Sequence, residues 1–249
     1  MQTPLLRHIV SVGLASLVIA GVSPRETRVD LELVLAADIS NSIDAEEALL
    51  QRRGYIEALL NQSVVDAIQA GPLGCIALTY VEWADRDHQR VVSGWRLISD
   101  LATARAVAHE IAEASTQRGQ STAIGAAIDF SVTQFDNNGF DGRRRVIDIS
   151  GDGTSSEGQP VTLARDVAVA SGITINGLPI LRGKVPPGLA RYYERNVIGG
   201  PGAFHIVATD FSDFAHAVLQ KLVLEIAGGD PAIGKTLPLV SETARGRAP

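Results

Sequence analysis

Apolar runs of strand length alternate along this chain with stretches in which apolar residues recur every three or four positions. That alternation is the mark of an α/β protein with a mainly parallel sheet. Six strands are predicted, at 30–37 (DLELVLAA), 75–83 (CIALTYVEW), 89–95 (QRVVSGW), 145–150 (RVIDIS), 173–180 (ITINGLPI) and 203–208 (AFHIVA). The second and third are separated only by ADRDH, so they form a hairpin that adds one antiparallel edge strand to the sheet. Helices fall between the other strands and cover both faces. The first starts at Asp44, with Glu47 in capping-box position, and its apolar residues Ala45, Ala48, Leu49, Ile56, Leu59 and Leu60 form one buried stripe. A second runs from Ser63 to Ala70 and stops at Gly71 and Pro72. A third covers Asp100 to Gln117 with Gly119 as its stop, and a fourth carries Ile124, Ala127, Ile128, Val132 and Phe135 on one face. Pro160 opens a helix that ends at Gly172, and Asp210 caps the last, which runs through Ile226.

Composition narrows the picture. A chain of 249 residues, 45% hydrophobic and 20% charged, has the profile of an ordinary globular protein, and the periodic pattern fits a single domain over 30–228. A formal net charge of -6, with no basic run longer than Arg143, Arg144 and Arg145, argues against nucleic acid as partner. Residues 1–23 have the layout of a signal peptide: Arg7, then an apolar run from Ile9 to Val22, then small residues. That run is shorter than the roughly 20 residues a membrane span needs, so the expectation is export to the periplasm or cell exterior, with no stable span after cleavage. The small, polar, proline-containing segment 229–249 reads as a disordered tail. Cys75 is the sole cysteine, so no intramolecular disulfide forms, and it reads as a small buried hydrophobe.

Candidate chemistry begins in LAADISNSID, residues 35–44. Alternation in an extended segment sends Asp38, Ser40 and Ser42 toward one side, just past the first strand. A carboxylate and two hydroxyls are hard donors suited to Mg²⁺, Mn²⁺ or Ca²⁺, although serines after a strand commonly cap a helix. Thr122 in GQSTAIGAAI and Asp152 in RVIDISGDGTSSEG have a metal reading and a bland one, as N-cap and turn residue. In a doubly wound sheet of order 3-2-1-4-5-6, the first and fourth strands flank the crevice where sites form. That order would bring all five residues to one rim.

Together, DISNS, the threonine of STAIG and the aspartate of SGDG resemble the metal-ion-dependent adhesion site of von Willebrand factor type A domains. The resemblance covers about 30–228. VDLELVLAADIS, YVEW, RVIDISGDG, TINGLPI and VIGGPGAF further resemble an exported bacterial subgroup of that superfamily, of uncharacterised function. The resemblance implies a Rossmann-like fold and a divalent ion, usually Mg²⁺. Asp38, Ser40, Ser42 and Thr122 would be its ligands, directly or through water, with Asp152 as second acid. An ion held largely by hydroxyls stays electrophilic and can exchange a water for a carboxylate of a protein partner. One departure is that the loop after SGDG, TSSEGQ, is short and offers no aromatic anchor.

Asp148, inside RVIDIS, needs a partner; a supporting role behind the metal and a hydrogen-bonded structural acid are both open. The spacing of His88, His109, His205 and His216 is not that of metal ligands. Tyr80, Trp83 and Trp95 read as sheet packing, with an exposed partner patch as the other reading. Leu181 to Gly202 is long for a connection and belongs either to the rim or to the sheet edge. The function expected is a non-enzymatic binding module that engages an acidic residue of a protein partner through the metal. Two other readings stand beside it: a metal-dependent hydrolase of phosphate or ester substrates, and a structural or assembly domain with a vestigial site. Against the hydrolase, Ser40 stands where an aspartyl phosphatase keeps its second acid, and no Gly-x-Ser-x-Gly elbow or phosphate loop occurs.

Overall fold

The computed structural model describes residues 26–181 and 188–228, so the expected leader and tail lie outside the described residues. In chain order the elements are β1 (Thr27–Val29), β2 (Glu32–Asp38), α1 (Ala45–Leu59), α2 (Gln62–Gln69), β3 (Ile76–Trp83), β4 (Gln89–Ile98), α3 (Leu101–Glu113), α4 (Ile124–Thr133), β5 (Phe140–Gly142), β6 (Arg145–Gly151), α5 (Val161–Ala170), β7 (Ile173–Pro179), α6 (Leu189–Tyr192) and α7 (Phe214–Ile226). A π-helical turn, Tyr193–Val197, continues α6.

The main sheet has the order β4-β3-β2-β6-β7, parallel except for β4, which pairs antiparallel with β3. This is the doubly wound fold the sequence predicts, with five strands rather than six. Segment 203–208 runs beside β7 but makes only isolated bridges, Gly177 with His205 and Ile180 with Ala208. Pro179 has no N–H to give to a ladder, which interrupts the pairing. A separate two-stranded parallel ribbon, β1 with β5, was not predicted.

β2 is buried along its whole length because helices cover both faces of the sheet. Leu33 and Leu35 pack with Tyr55 of α1, Ile68 of α2, Val107 of α3 and Phe214 and Leu222 of α7. Val34 and Ala36 pack on the other side with Ile128 of α4, Ala168 of α5 and Tyr193. Tyr80 and Trp83 are fully buried, and half-buried Trp95 donates its indole N–H to the Gln134 carbonyl, so the hairpin aromatics pack the sheet.

Several boundaries differ from expectation. The capping box of Asp44 and Glu47 is present, but α1 is rotated from the expected stripe: Leu49 is 57% exposed, while Gln51, Arg52 and Gly54 are buried. Two contacts set this rotation. Arg52 forms a two-point ion pair with buried Glu82 of β3, at 2.6 and 2.9 Å, and Gly54 lets α7 approach so closely that a Cβ there would lie 2.6 Å from Phe214. α3 ends at Glu113 rather than Gln117, because the Ala114 and Ser115 carbonyls turn to accept from Arg52, at 2.5 and 2.9 Å. Asp210 does not cap α7 directly; it accepts from Ser212 and from the N–H of Asp213, and the helix starts at Phe214. Cys75 is half-buried rather than buried.

Asp148 faces α7, where the Lys221 ammonium, fully buried, lies 2.7 Å from Asp148 and 2.5 Å from Glu225. Asn176 donates to the same Glu225 oxygen at 3.0 Å. Burial, and after it the Glu225 charge, pushes the Asp148 carboxyl up to about 7. Removing one member of such a cluster strands buried charge, whereas removing all of it is far milder. Lys221→Met is therefore expected to cost about 3 to 5 kcal/mol in urea unfolding, and adding Asp148→Asn and Glu225→Gln to recover much of that loss.

Candidate metal centre

Parallel register sets Ala37 opposite Ser150, so β2 and β6 end side by side at the point where strand order reverses. Asp38 closes β2, Gly151 closes β6, and Asp152 follows it. Past its strand the chain turns at once, because the Ser40 N–H donates to Asp38 Oδ1 at 2.7 Å, and Ile39 is held from both sides by Trp83 and Gly119. Gly119 is needed for this approach: a Cβ there would lie 2.2 Å from Ala84 Cβ.

Four of the five expected residues form one hydrogen-bonded chain. Thr122 Oγ1 donates to Ser40 Oγ at 3.2 Å, Ser40 and Ser42 hydroxyls lie 3.0 Å apart, and Ser42 Oγ donates to Asp152 Oδ1 at 2.6 Å. With Ser40 accepting from Thr122 and Ser42 donating to Asp152, the Ser40 hydrogen is left for Ser42, so the chain has one direction. Asp38 stands beside it with Oδ2 fully buried and without a partner.

The N-cap reading of Thr122 does not hold. Thr122 caps nothing: the N-cap of α4 is Ala123, without a side-chain bond, and the Ile124 N–H finds Ser155 Oγ instead, at 3.2 Å. Asp152 receives Ser42 rather than merely shaping a turn. The loop after SGDG does work that the sequence reading missed, since Ser156 exchanges bonds with the Thr122 backbone and so ties the threonine to the Asp152 loop. Asp148 is on the opposite face of the sheet from Asp38, and the partner found for it is Lys221, not a motif residue. Of the two readings open for Asp148, the structure favours the paired structural acid, since Asp152 is already past the strand and does not share its face.

Sequence reasoning also missed Tyr192 and Tyr193. The Tyr192 hydroxyl accepts from the Ser155 N–H at 3.2 Å and buried Tyr193 reaches Gly151, so these two residues belong to the rim, while Gly199 of the same segment pairs with Ile175 at the sheet edge and 182–187 lie outside the described residues. The only sequence signal was glycine at 151 and 177. A Cβ at Gly177 would lie 2.8 Å from the Tyr193 ring, and one at Gly151 would lie 2.8 Å from its hydroxyl.

Electrostatics mark the same place. Burial drives the Asp38 carboxyl up to about 7, the Ser40 hydrogen bonds oppose the shift, the Asp152 charge adds to it, and the Asp152 backbone N–H weakly opposes it. The Tyr193 phenol is pushed up by burial, then by Asp38 and Asp152. Two acids, three hydroxyls and an unpartnered buried carboxylate oxygen are a donor set that a hard divalent cation fits. Among the described residues no three His, Cys, Asp or Glu side chains gather into a metal cluster of another kind.

The fold is that of von Willebrand factor type A domains. The sequence belongs to the family described as protein of unknown function (DUF1194), which it matches over residues 28–230. Among solved structures it is similar to proximal thread matrix protein 1 from the mussel byssus, with TM-score 0.59 and 16% identity over 81% of this chain and 48% of that one. A second structure of that protein is described as having a zinc-occupied MIDAS (metal-ion-dependent adhesion site) motif. A von Willebrand factor type A protein from Catenulispora acidiphila aligns with TM-score 0.55 and 14% identity, over 82% of this chain and 43% of that one. The conserved hypothetical protein BatB from Bacteroides thetaiotaomicron aligns with TM-score 0.51 and 18% identity, over 80% of this chain and 99% of that one. This chain thus spans less than half the length of the first two. No curated protein matches the sequence.

The Asp38 shift carries a sign. The carboxyl ionises near its ordinary 3.8 when unfolded and near 7 when folded, so its contribution to stability is full below the lower value and lost as pH rises through the higher. Asp38→Asn, which is neutral at every pH, is expected to flatten the stability profile between about pH 4 and 7 in urea unfolding with chelator present. An unchanged slope would contradict the assignment.

Proposed function

We propose that this chain is an exported, non-enzymatic binding module in which Asp38, Ser40, Ser42, Thr122 and Asp152 hold a divalent cation, with a protein partner supplying an acidic residue to it. The observation that carries the reading is the one-way hydroxyl chain from Thr122 through Ser40 and Ser42 to Asp152, set beside the unpartnered Asp38 oxygen. Oxygen-only donors favour Mg²⁺, with Mn²⁺ or Ca²⁺ as substitutes. The zinc-occupied motif of the mussel protein supports a divalent ion in this fold. When bound, the ion supplies an electrophilic position that a carboxylate can fill.

The residues of this chain do the rest. Asp38 and Asp152 bring negative charge, and the hydroxyls add oxygens without adding more of it. Two residues along the chain from Ser42, an open cleft of about 480 Å³ is lined by the acids Asp44, Glu46, Glu47 and Asp210 together with the apolar Leu50, Leu181 and Phe211. Without a cation such a rim repels an acidic partner, which makes engagement dependent on metal. No helix among the described residues is long and apolar enough to cross a membrane. The one lysine described, Lys221, is held under α7 on the face of the sheet opposite Asp38, so no lysine of the described part serves a phosphate at this rim.

Calorimetry with Mg²⁺ is expected to show one site on the wild type and none on Asp38→Ala or Asp152→Ala. Capture of a cell-envelope protein in Mg²⁺, lost in EDTA and in Asp38→Ala, would identify the partner. Unchanged metal binding in both variants would refute the site, and EDTA-sensitive turnover of a generic phosphoester would replace the binding module with a hydrolase.

A further inference from the structure

Two polar atoms at the rim are fully buried and have no partner: Asp38 Oδ2 and the Tyr193 hydroxyl. They share one small space. A Cβ added at Gly151 would lie 2.8 Å from each, so the two oxygens are separated by at most twice that distance, across the gap that the missing side chain leaves. A buried hydroxyl left unsatisfied carries a desolvation penalty, and a carboxylate oxygen a larger one. A phenylalanine would fill the same ring position without that cost, against Gly177 and the apolar neighbours of α4 and α5. Packing therefore explains the Tyr193 ring and leaves its oxygen unexplained.

We propose that Tyr193 is a positioning residue of the cation site, its hydroxyl donating to Asp38 Oδ2, directly or through one water, when the cation is in place. This rests on the reading of the rim as a cation site and adds to it a residue outside the five-residue motif. The rigid ring, seated between two glycines, fixes where the donor stands. The donor then limits how Asp38 turns, and a carboxylate fixed in this way suits the small, geometrically strict Mg²⁺ better than the larger and more adaptable Ca²⁺.

The test compares wild type and Tyr193→Phe by calorimetry with MgCl₂ and with CaCl₂, alongside urea unfolding in EDTA. Supporting partners behind a metal site are worth about 10- to 100-fold in affinity, so Tyr193→Phe is expected to weaken Mg²⁺ binding at least tenfold and Ca²⁺ binding less. Its metal-free stability is expected to stay level or rise, because an unsatisfied buried hydroxyl has gone. A merely structural role would give the opposite pair, lower metal-free stability with unchanged affinity, and that result overturns the proposal. Equal Mg²⁺ affinity in the two proteins overturns it too while leaving the five-residue site intact. A wild type that binds neither ion overturns the site and this inference together.

Discussion

Parallel pairing of β2 with β6, in the register that sets Ala37 opposite Ser150, ends two central strands at the same height with nothing between them. Every feature of the rim follows from that adjacency. The chain leaves β2 toward β3 and leaves β6 toward β7, so their outgoing loops diverge and open a crevice. Asp38 is trapped at the closed end of the crevice by the sheet itself. Asp152 has moved one residue past its strand, and that step frees it to meet Ser42. The α4 loop brings Thr122 from the side, tied by Ser155 and Ser156 to the loop that carries Asp152. No one of these loops could form the constellation alone.

Buried charge fixes the elements that carry the crevice. Arg52 of α1 reaches Glu82 near the end of β3 and two carbonyls at the end of α3, linking three elements on one side of the rim through one guanidinium. Such a planar fork is well matched to a carboxylate and to paired carbonyl oxygens. On the same face, beneath α7, Lys221 joins β6 through Asp148 and its own helix through Glu225. Ion pairs of this kind add little net stability compared with apolar packing, but each excludes the registers that would leave a charge unpaired. The rotation of α1 away from its expected stripe is the visible result, since the Arg52 pair and the close α1–α7 contact at Gly54 outweigh the burial of Leu49.

Much of this was legible in the residues. Strand and helix alternation, the hairpin and the Asp44 capping box are local or nearly local properties, and a periodic pattern records them directly; the order of the central strands came instead from the doubly wound template. Errors gathered where a distant partner decides. Segment 203–208 is apolar enough for a strand, yet Pro179 on the neighbouring strand interrupts its ladder. Asp210 is a good cap by type, but the helix begins three residues beyond the position that Asp210 would cap. Asp148 shares the alternation of Asp152, but Asp152 lies past the end of β6 and meets Ser42, whereas Asp148 meets Lys221 of α7.

The sequence by itself determined the fold class and drew attention to Asp38, Ser40, Ser42 and Asp152, because strand periodicity is local and these residues are polar where a core strand would continue apolar, whereas Thr122, in the loop before α4, stood out only as part of the motif. Only the tertiary structure decided which of their oxygens are spoken for. Hydrogen bonds among Thr122, Ser40, Ser42 and Asp152 cross separations of up to 110 residues, and no spacing rule encodes their direction. Tyr193 shows the same limit from the other side. Its sequence neighbours give no reason to suspect it, and it joins the rim only because Gly151 and Gly177, on two adjacent strands, leave room for its ring.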